Sequence, residues 1–424
     1  MGNFNIIGKS VEKKDSLSKV LGTAQFAADI EFENMLYGAV KRSEVPSAIL
    51  KNVDVSKAKA LPGVVSVLTY KDITGGNRIG IIIKDEPVLV DDNIRRIGDA
   101  LAIVAAETKE IAEEALKLIE VEYEELEPIL SIEDALKEES RKVHGKTNVL
   151  QEKHLIKGDV DEAFKECDII VENTYKTNYV AHMFIEPEAG VAKYENGIMS
   201  VWCSTQNPHF DRGEVARTLN MPQNKVRVIQ AVTGGGFGGK LDISVQCHIA
   251  LLSYYTGRPV KIVTNREDSM KVSSKRHPIE MKVKTGAKKD GTILAYEAKL
   301  TSDTGAYASY GPAVVARAMT HISGPYRIPN VRIDATFVYT NNPMAGAYRG
   351  FGVPQAAIAH EGQMDALAEK IGMSPIEIRL KNALRVGDCT PTNQKLNDSI
   401  GIVETIEKAV EKSKEVIFNE GEVK

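Results

Sequence analysis

The run GGGFGGK, from Gly234 to Lys240, constrains this chain more than any other stretch of it. Glycine reaches positive φ without a Cβ clash and lets backbone lie close against a ligand. A run this rich in glycine therefore reads as a shaped loop, not the interior of a helix or strand. A β-like run, Lys225 to Val232, precedes it, and a helix-like run, Ile243 to Tyr255, follows. Strand, glycine loop and helix start together offer unpaired N–H groups and the positive end of a helix dipole. Such a place suits a phosphate, a pyrophosphate or a metal-oxo group.

The 424 residues exceed one hydrophobic core and imply two or three domains. Residues 1–126 read as a small α+β unit. Its strands are expected at Val64 to Thr69, Ile79 to Ile83, Leu101 to Ala105 and Val121 to Tyr123, with a helix from Thr108 to Glu120 capped by Thr108. Residues 127–157 are polar and read as a surface linker with a short helix around Glu133 to Lys137. Residues 158–424 form the second unit. In it a strand from Ile198 to Ser204 leads through Thr205, Gln206 and Asn207 into a helix from Pro208 to Leu219. Asn207 at the cap and Pro208 at the first helical position mark that start. If this strand and the one before Gly234 share a sheet, Gln206 and Gly234 to Gly239 emerge at the same strand end, where ligand sites form. Farther on, Asp290-Gly291 predicts a two-residue hairpin turn between Ile279 to Thr285 and Ile293 to Leu300. A third glycine-containing cluster, Ala347 to Gly352, precedes a helix from Pro354 to Ile371. Gly372 ends that helix, and Ser374 with Glu377 opens the next through a capping box.

A net charge of −4 with no basic block argues against a nucleic-acid partner. No apolar stretch approaches the roughly 18 residues of a membrane span. Met1 to Lys14 lacks an apolar signal core, so a cytoplasmic chain is expected. Cys167, Cys203, Cys247 and Cys389 stand far apart and form no Cys-x-x-Cys pair, which reads as buried or idle thiols.

Gly234, Gly236 and Gly239 satisfy the dinucleotide fingerprint G-x-G-x-x-G, and acidic residues (Glu267, Asp268) follow the next strand. Against a nicotinamide site stand the mid-chain position, the hairpins that follow and the surplus glycines around Phe237. Gln206 offers an uncharged N–H donor to an oxo or carbonyl oxygen. Arg349, between Tyr348 and Gly350, can clamp a phosphate or carboxylate. Arg317 stands among apolar neighbours, where an unpaired guanidinium is costly, so it needs a carboxylate, a ligand anion or a helix C-terminus. His182 and His209 read as packing or loop residues, and Glu186 as a turn carboxylate that could serve as a base.

Taken together, Ser204 to Pro208, Gly234 to Lys240 and Ala347 to Gly352 resemble the molybdenum hydroxylases of the xanthine dehydrogenase and aldehyde oxidase family. Gly8 to Ser10, Asp15, Lys19, Gly22, Ala24 to Asp29, Leu61 to Thr69 and Glu86 to Leu89 are similar to the family's α/β hammerhead domain. Met364, Asp365, Gly387 and Asp388 are similar to the end of its first molybdopterin-binding domain. The resemblance implies an α+β fold of those two domains in that order. It implies a molybdenum–molybdopterin cofactor, in the cytosine dinucleotide form, with a sulfido or selenido ligand. The metal is then held through the pterin dithiolene and not by protein side chains. By the same resemblance Gln206 hydrogen-bonds the metal oxo group or the dithiolene and counts as the catalytic residue. Gly235, Gly236, Phe237, Gly238, Arg349 and Gly350 bind the cofactor, while Arg317 and Phe351 hold the substrate.

Two departures narrow the substrate. Leu241 follows the glycine run where xanthine-oxidising members have a glutamate, and Gly350 stands where carbon monoxide dehydrogenases have a copper-binding cysteine. The chain also stops where the family's second molybdopterin domain would begin. That layout resembles the split, nicotinate-hydroxylating members. It implies a second molybdopterin subunit carrying the catalytic glutamate, an FAD subunit, an iron–sulfur subunit with [2Fe-2S] clusters, and a small heteroaromatic substrate. Three other readings stay open: a subunit of a xanthine dehydrogenase-like or other aromatic- or aldehyde-oxidising molybdoenzyme, a nicotinamide-dependent dehydrogenase using Gly234 to Gly239, and a non-catalytic assembly protein of the same fold.

Overall fold

In the computed structural model, which describes residues 4–415, two large sheets carry the molecule. The strands are β1 (Leu36–Arg42), β2 (Ala48–Asp54), β3 (Val64–Leu68), β4 (Ala100–Ala106), β5 (Glu120–Glu125), β6 (Val149–Lys157) and β7 (Ile169–Lys176). They continue with β8 (Ala189–Glu195), β9 (Ile198–Cys203), β10 (Val226–Gln230), β11 (Val260–Val263), β12 (Ile279–Ala287), β13 (Ile293–Asp303) and β14 (Asn330–Val338). The longer helices are α1 (Lys109–Lys117), α2 (Pro208–Thr218), α3 (Gln246–Thr256), α4 (Gly311–His321), α5 (Val353–Ile371), α6 (Pro375–Asn382) and α7 (Ile402–Glu415).

The first sheet has seven strands in the order β10-β9-β8-β11-β1-β4-β3. Every residue of β4 is buried, as its unbroken apolar sequence requires of a central strand. Ala102 and Val104 pack with Ala112 and Ala115 of α1, while Ile103 and Ala105 face the core that α2 and α3 cover. The second sheet has five strands in the order β7-β12-β13-β14-β6 and is covered by α4 and α5. β2 pairs with β5 and with the short strand Asn93–Ile94 in a small third sheet.

Several expectations change. The first sheet extends across residue 126: β1 pairs in parallel with β11 through Leu36↔Val260 and Tyr37↔Lys261. The linker read over 127–157 contains the short helix, Ile132–Leu136, but its last part is strand β6, paired along β14. β6 is an edge strand in which exposed Glu152, His154 and Ile156 alternate with half-buried residues. Of the strand expected at Ile79 to Ile83 only Ile79 pairs, in a two-residue strand Arg78–Ile79 set against Glu86–Pro87. The β12–β13 connection is longer than two residues, because pairing stops at Ala287↔Ile293 and the Lys288 N–H reaches the Thr292 carbonyl at 2.9 Å. Among the described residues no helix is long and apolar enough to cross a membrane.

Candidate functional site

β9 and β10 are parallel neighbours, in register from Met199↔Val226 to Cys203↔Gln230. Gln206 and the glycine loop therefore leave the sheet side by side. The Gln206 N–H donates to the Lys240 carbonyl at 2.9 Å, and its side-chain Oε1 accepts the N–H of Gly238 at 2.9 Å and of Lys240 at 3.3 Å. Two backbone donors on Oε1 fix the amide's orientation. Its Nε2 has no acceptor among the described residues, and the side chain is exposed. Glycine is required where the loop closes down. A Cβ on Gly236 would lie 2.5 Å from Gln206 Oε1, and one on Gly238, at φ +105°, 2.5 Å from the Ala347 carbonyl oxygen.

From Gly234 to Phe237 the loop alternates ordinary and left-handed backbone, with Gly235 at φ +99° and Phe237 at φ +53°, and Gly238 then stays left-handed. Among the described residues the N–H groups of Gly235, Gly236 and Phe237 donate to no protein acceptor. Successive free amides on alternating backbone form an anion-binding concavity. The helix dipole expected behind the loop is not part of it. α3 begins only at Gln246, because residues 241–245 run through bends before the helix starts. The dinucleotide reading fails at the same place, since that motif needs the helix to open at the glycines. Its acidic partner is engaged elsewhere: Glu267 pairs with Lys271 on the same short helix at 2.7 Å.

The third glycine cluster closes over the loop. Short β-bridges join Ala181 to Lys275 and Lys275 to Ala345, setting three distant segments together. The Arg349 N–H donates to the Phe237 carbonyl at 2.9 Å, and the Arg349 carbonyl accepts from the Arg276 guanidinium at 3.1 Å. The Arg349 side chain itself is exposed. Tyr348 stacks on His182, centroids 4.3 Å apart, with the Arg276 guanidinium 3.8 Å from its ring centre. His182 Nε2 lies 2.7 Å from the Ala347 carbonyl, and burial pushes the imidazole down to about 4, so it is a neutral donor. Gly350 and Gly352 stand at φ +93° and +96° around Phe351 at φ +51°. Phe351 meets Tyr310 edge to face at 5.8 Å, and Asn207 Nδ2 donates to the Tyr310 hydroxyl at 3.3 Å. Gln206, the glycine loop and Arg349 to Phe351 thus share one locus.

Arg317 differs from expectation. It projects from the exposed face of α4, so solvent satisfies the guanidinium and burial demands no counter-ion. Its apolar chain neighbours point the other way around the helix turn.

Glu186 does more than the sequence suggested. Its Oε2 accepts from Ser204 Oγ at 2.9 Å, from the Gly234 N–H at 2.6 Å and from Lys240 Nζ at 2.9 Å. Behind the loop a polar cavity is lined by Arg42, Glu86, Arg96, Glu188, Gly239 and Asp242. Burial there pushes the Glu86 carboxyl up to about 7 despite Arg96 at 2.7 Å. Among the described residues no group of three or more His, Cys, Asp or Glu side chains gathers to hold a metal. The donor set is free backbone N–H, one neutral amide and aromatic edges. It fits an oxygen-rich or anionic cofactor that brings its own metal ligands.

Comparison with known proteins agrees with this geometry. A family model described as the molybdopterin cofactor-binding domain matches residues 142–383. One described as the aldehyde oxidase and xanthine dehydrogenase a/b hammerhead domain matches residues 21–127. The chain is 60% identical to the nicotinate dehydrogenase large molybdopterin subunit of Eubacterium barkeri, over 98% of each chain. It is 42% identical to a probable xanthine dehydrogenase subunit of Bacillus subtilis, over 95% of this chain and 54% of that one. The solved aldehyde oxidoreductase from Desulfovibrio gigas superimposes with a TM-score of 0.92 at 33% identity, over 95% of this chain and 46% of that one. The chain thus spans nearly all of the first relative and about half the length of the other two. With both of its halves matched in order, this chain belongs to the xanthine dehydrogenase and aldehyde oxidase family of molybdenum hydroxylases.

Proposed function

We propose that this chain is the cofactor-cradling subunit of a multi-subunit cytoplasmic hydroxylase that oxidises a ring carbon of an anionic heteroaromatic acid, nicotinate first among them. The observation that carries the reading is the row of unused N–H groups from Gly235 to Phe237, braced by Gln206 and roofed by Arg349 to Phe351. The bound molybdenum cofactor supplies the two-electron oxidation, with water as the source of the oxygen atom.

This chain's own residues bind and orient. Gln206 presents an uncharged N–H₂ donor whose direction two backbone bonds fix, so it stabilises developing negative charge without reorganising. The loop N–H groups of Gly235, Gly236 and Phe237 would hold the cofactor by donating to its oxygen atoms. Phe351, steadied edge-on by Tyr310, offers a flat wall to an aromatic ring. Exposed Arg317 is free to meet a substrate carboxylate. The similarity to the nicotinate dehydrogenase subunit supports nicotinate, and Leu241 in place of a glutamate speaks against xanthine. A second molybdopterin chain with the glutamate base, an FAD chain and a [2Fe-2S] chain complete the enzyme. The cofactor is read as the cytosine dinucleotide with a sulfido or selenido ligand.

Elemental and nucleotide analysis of the native complex, followed by a substrate panel, tests this. Molybdenum, iron and CMP release with nicotinate turnover support it. A metal-free active preparation overturns it, and turnover of xanthine or an aldehyde in preference to nicotinate overturns the substrate.

A further inference from the structure

We propose that Glu186 is the positioning residue that imposes the cofactor-ready shape on the glycine loop, with Lys240 as its buried counter-charge. The inference rests on the reading of that loop as the cofactor cradle. A glycine-rich segment left to itself samples many conformations. Here one carboxylate oxygen, Glu186 Oε2, ties the first loop residue through the Gly234 N–H at 2.6 Å and the last through Lys240 Nζ at 2.9 Å. The same oxygen takes Ser204 Oγ at 2.9 Å, anchoring both ends to the tip of β9. The Glu186 N–H donates to the Gly234 carbonyl at 3.2 Å, so the first loop residue is held through both its N–H and its C=O. A Cβ on Gly234 would stand 2.5 Å from Glu186 Cβ, so the approach is possible only for glycine.

The clamp is largely buried. The Lys240 side chain is 1% exposed and that of Glu186 12%, with Lys240 Nζ 4.7 Å from the centre of the Phe184 ring. Removing one member leaves an uncompensated buried charge. The intact pair is neutral overall, so the loop amides between its ends remain the attractive feature for an anion. Glu186 acts through the backbone and has no assigned contact with the cofactor or substrate.

The test compares the assembled complex carrying Glu186→Gln, Lys240→Met or both with the unaltered complex. Hydrogen exchange of peptides spanning residues 233–241, melting temperature and molybdenum content are read together. In Glu186→Gln, loop exchange should rise about ten-fold and molybdenum should fall to about a tenth, with the melting temperature lowered and protection elsewhere in both sheets kept. Lys240→Met should lose more, and the double variant should recover part of that loss. Loop exchange and molybdenum within about two-fold of the unaltered complex in Glu186→Gln overturn the proposal. So does loss of protection across both sheets, which marks a general stabilising role. If the unaltered complex carries no molybdenum, the functional reading fails, while loop exchange in the same samples still decides the clamp.

Discussion

Burial and exposure separate two basic side chains, His182 under the third glycine cluster and Arg317 on α4. His182 is 5% exposed and held neutral between Tyr348 and the Ala347 carbonyl. Its value near 4 in the folded chain lies below the ordinary 6.5. Folding therefore excludes a proton that the unfolded chain takes up, and this contribution to stability is complete above pH 6.5 and fades as pH falls toward 4. Between pH 7 and pH 5 the native protein should lose about 2 kcal/mol that a His182→Gln variant keeps. Urea unfolding at the two pH values reads the difference directly. Arg317, by contrast, is exposed and carries no packing role. Arg317→Ala should leave the melting temperature within about 1 °C and raise KM for a carboxylate-bearing substrate about ten-fold or more, with a smaller change in kcat. An unchanged KM removes Arg317 from the substrate site. What the sequence concealed at this scale is direction. Neighbours along the chain made Arg317 look buried, although the helical period turns it outward. Glu186 looked like an ordinary turn carboxylate because its partners lie 18, 48 and 54 positions away.

Elements with local chemistry were legible. The capping box at Ser374 and Glu377 forms as read, with Ser374 Oγ accepting the Glu377 N–H at 3.1 Å and Glu377 answering on the Ser374 N–H at 2.9 Å. Ser374→Ala should cost about 1 kcal/mol in chemical denaturation and leave the cofactor in place. A larger loss, or loss of molybdenum, would show that α6 is coupled to the site. The sequence left open whether β9 and β10 share a sheet; they do, as parallel neighbours, which puts Gln206 and the glycines at one strand end. β6 and the start of α3 were not legible. An edge strand with its alternate face in water shows little apolar pattern, and the bends after Lys240 carry apolar residues that extend the helical pattern backwards.

At the scale of the whole molecule, the first sheet runs through both matched regions. β1 has β4 on one side and β11, more than 200 residues later, on the other. A protein truncated to residues 1–126 should not fold as a monomer. It would bare the β1 edge together with Leu36, Ile103 and Ala105, which α3 and β11 help to cover. Size-exclusion chromatography of that fragment checks this, and a monodisperse, cooperatively melting species would contradict it.

The shared sheet also limits how the family can recombine. A front segment borrowed from another member must match this one along Leu36 and Tyr37 as well as at the splice. Gene fusion or fission after the glycine clusters leaves that seam whole, whereas a swap at residue 126 cuts across it. Inheritance should therefore keep the front segment and the loop-bearing segment as one block, even where later portions of the enzyme are distributed among different genes.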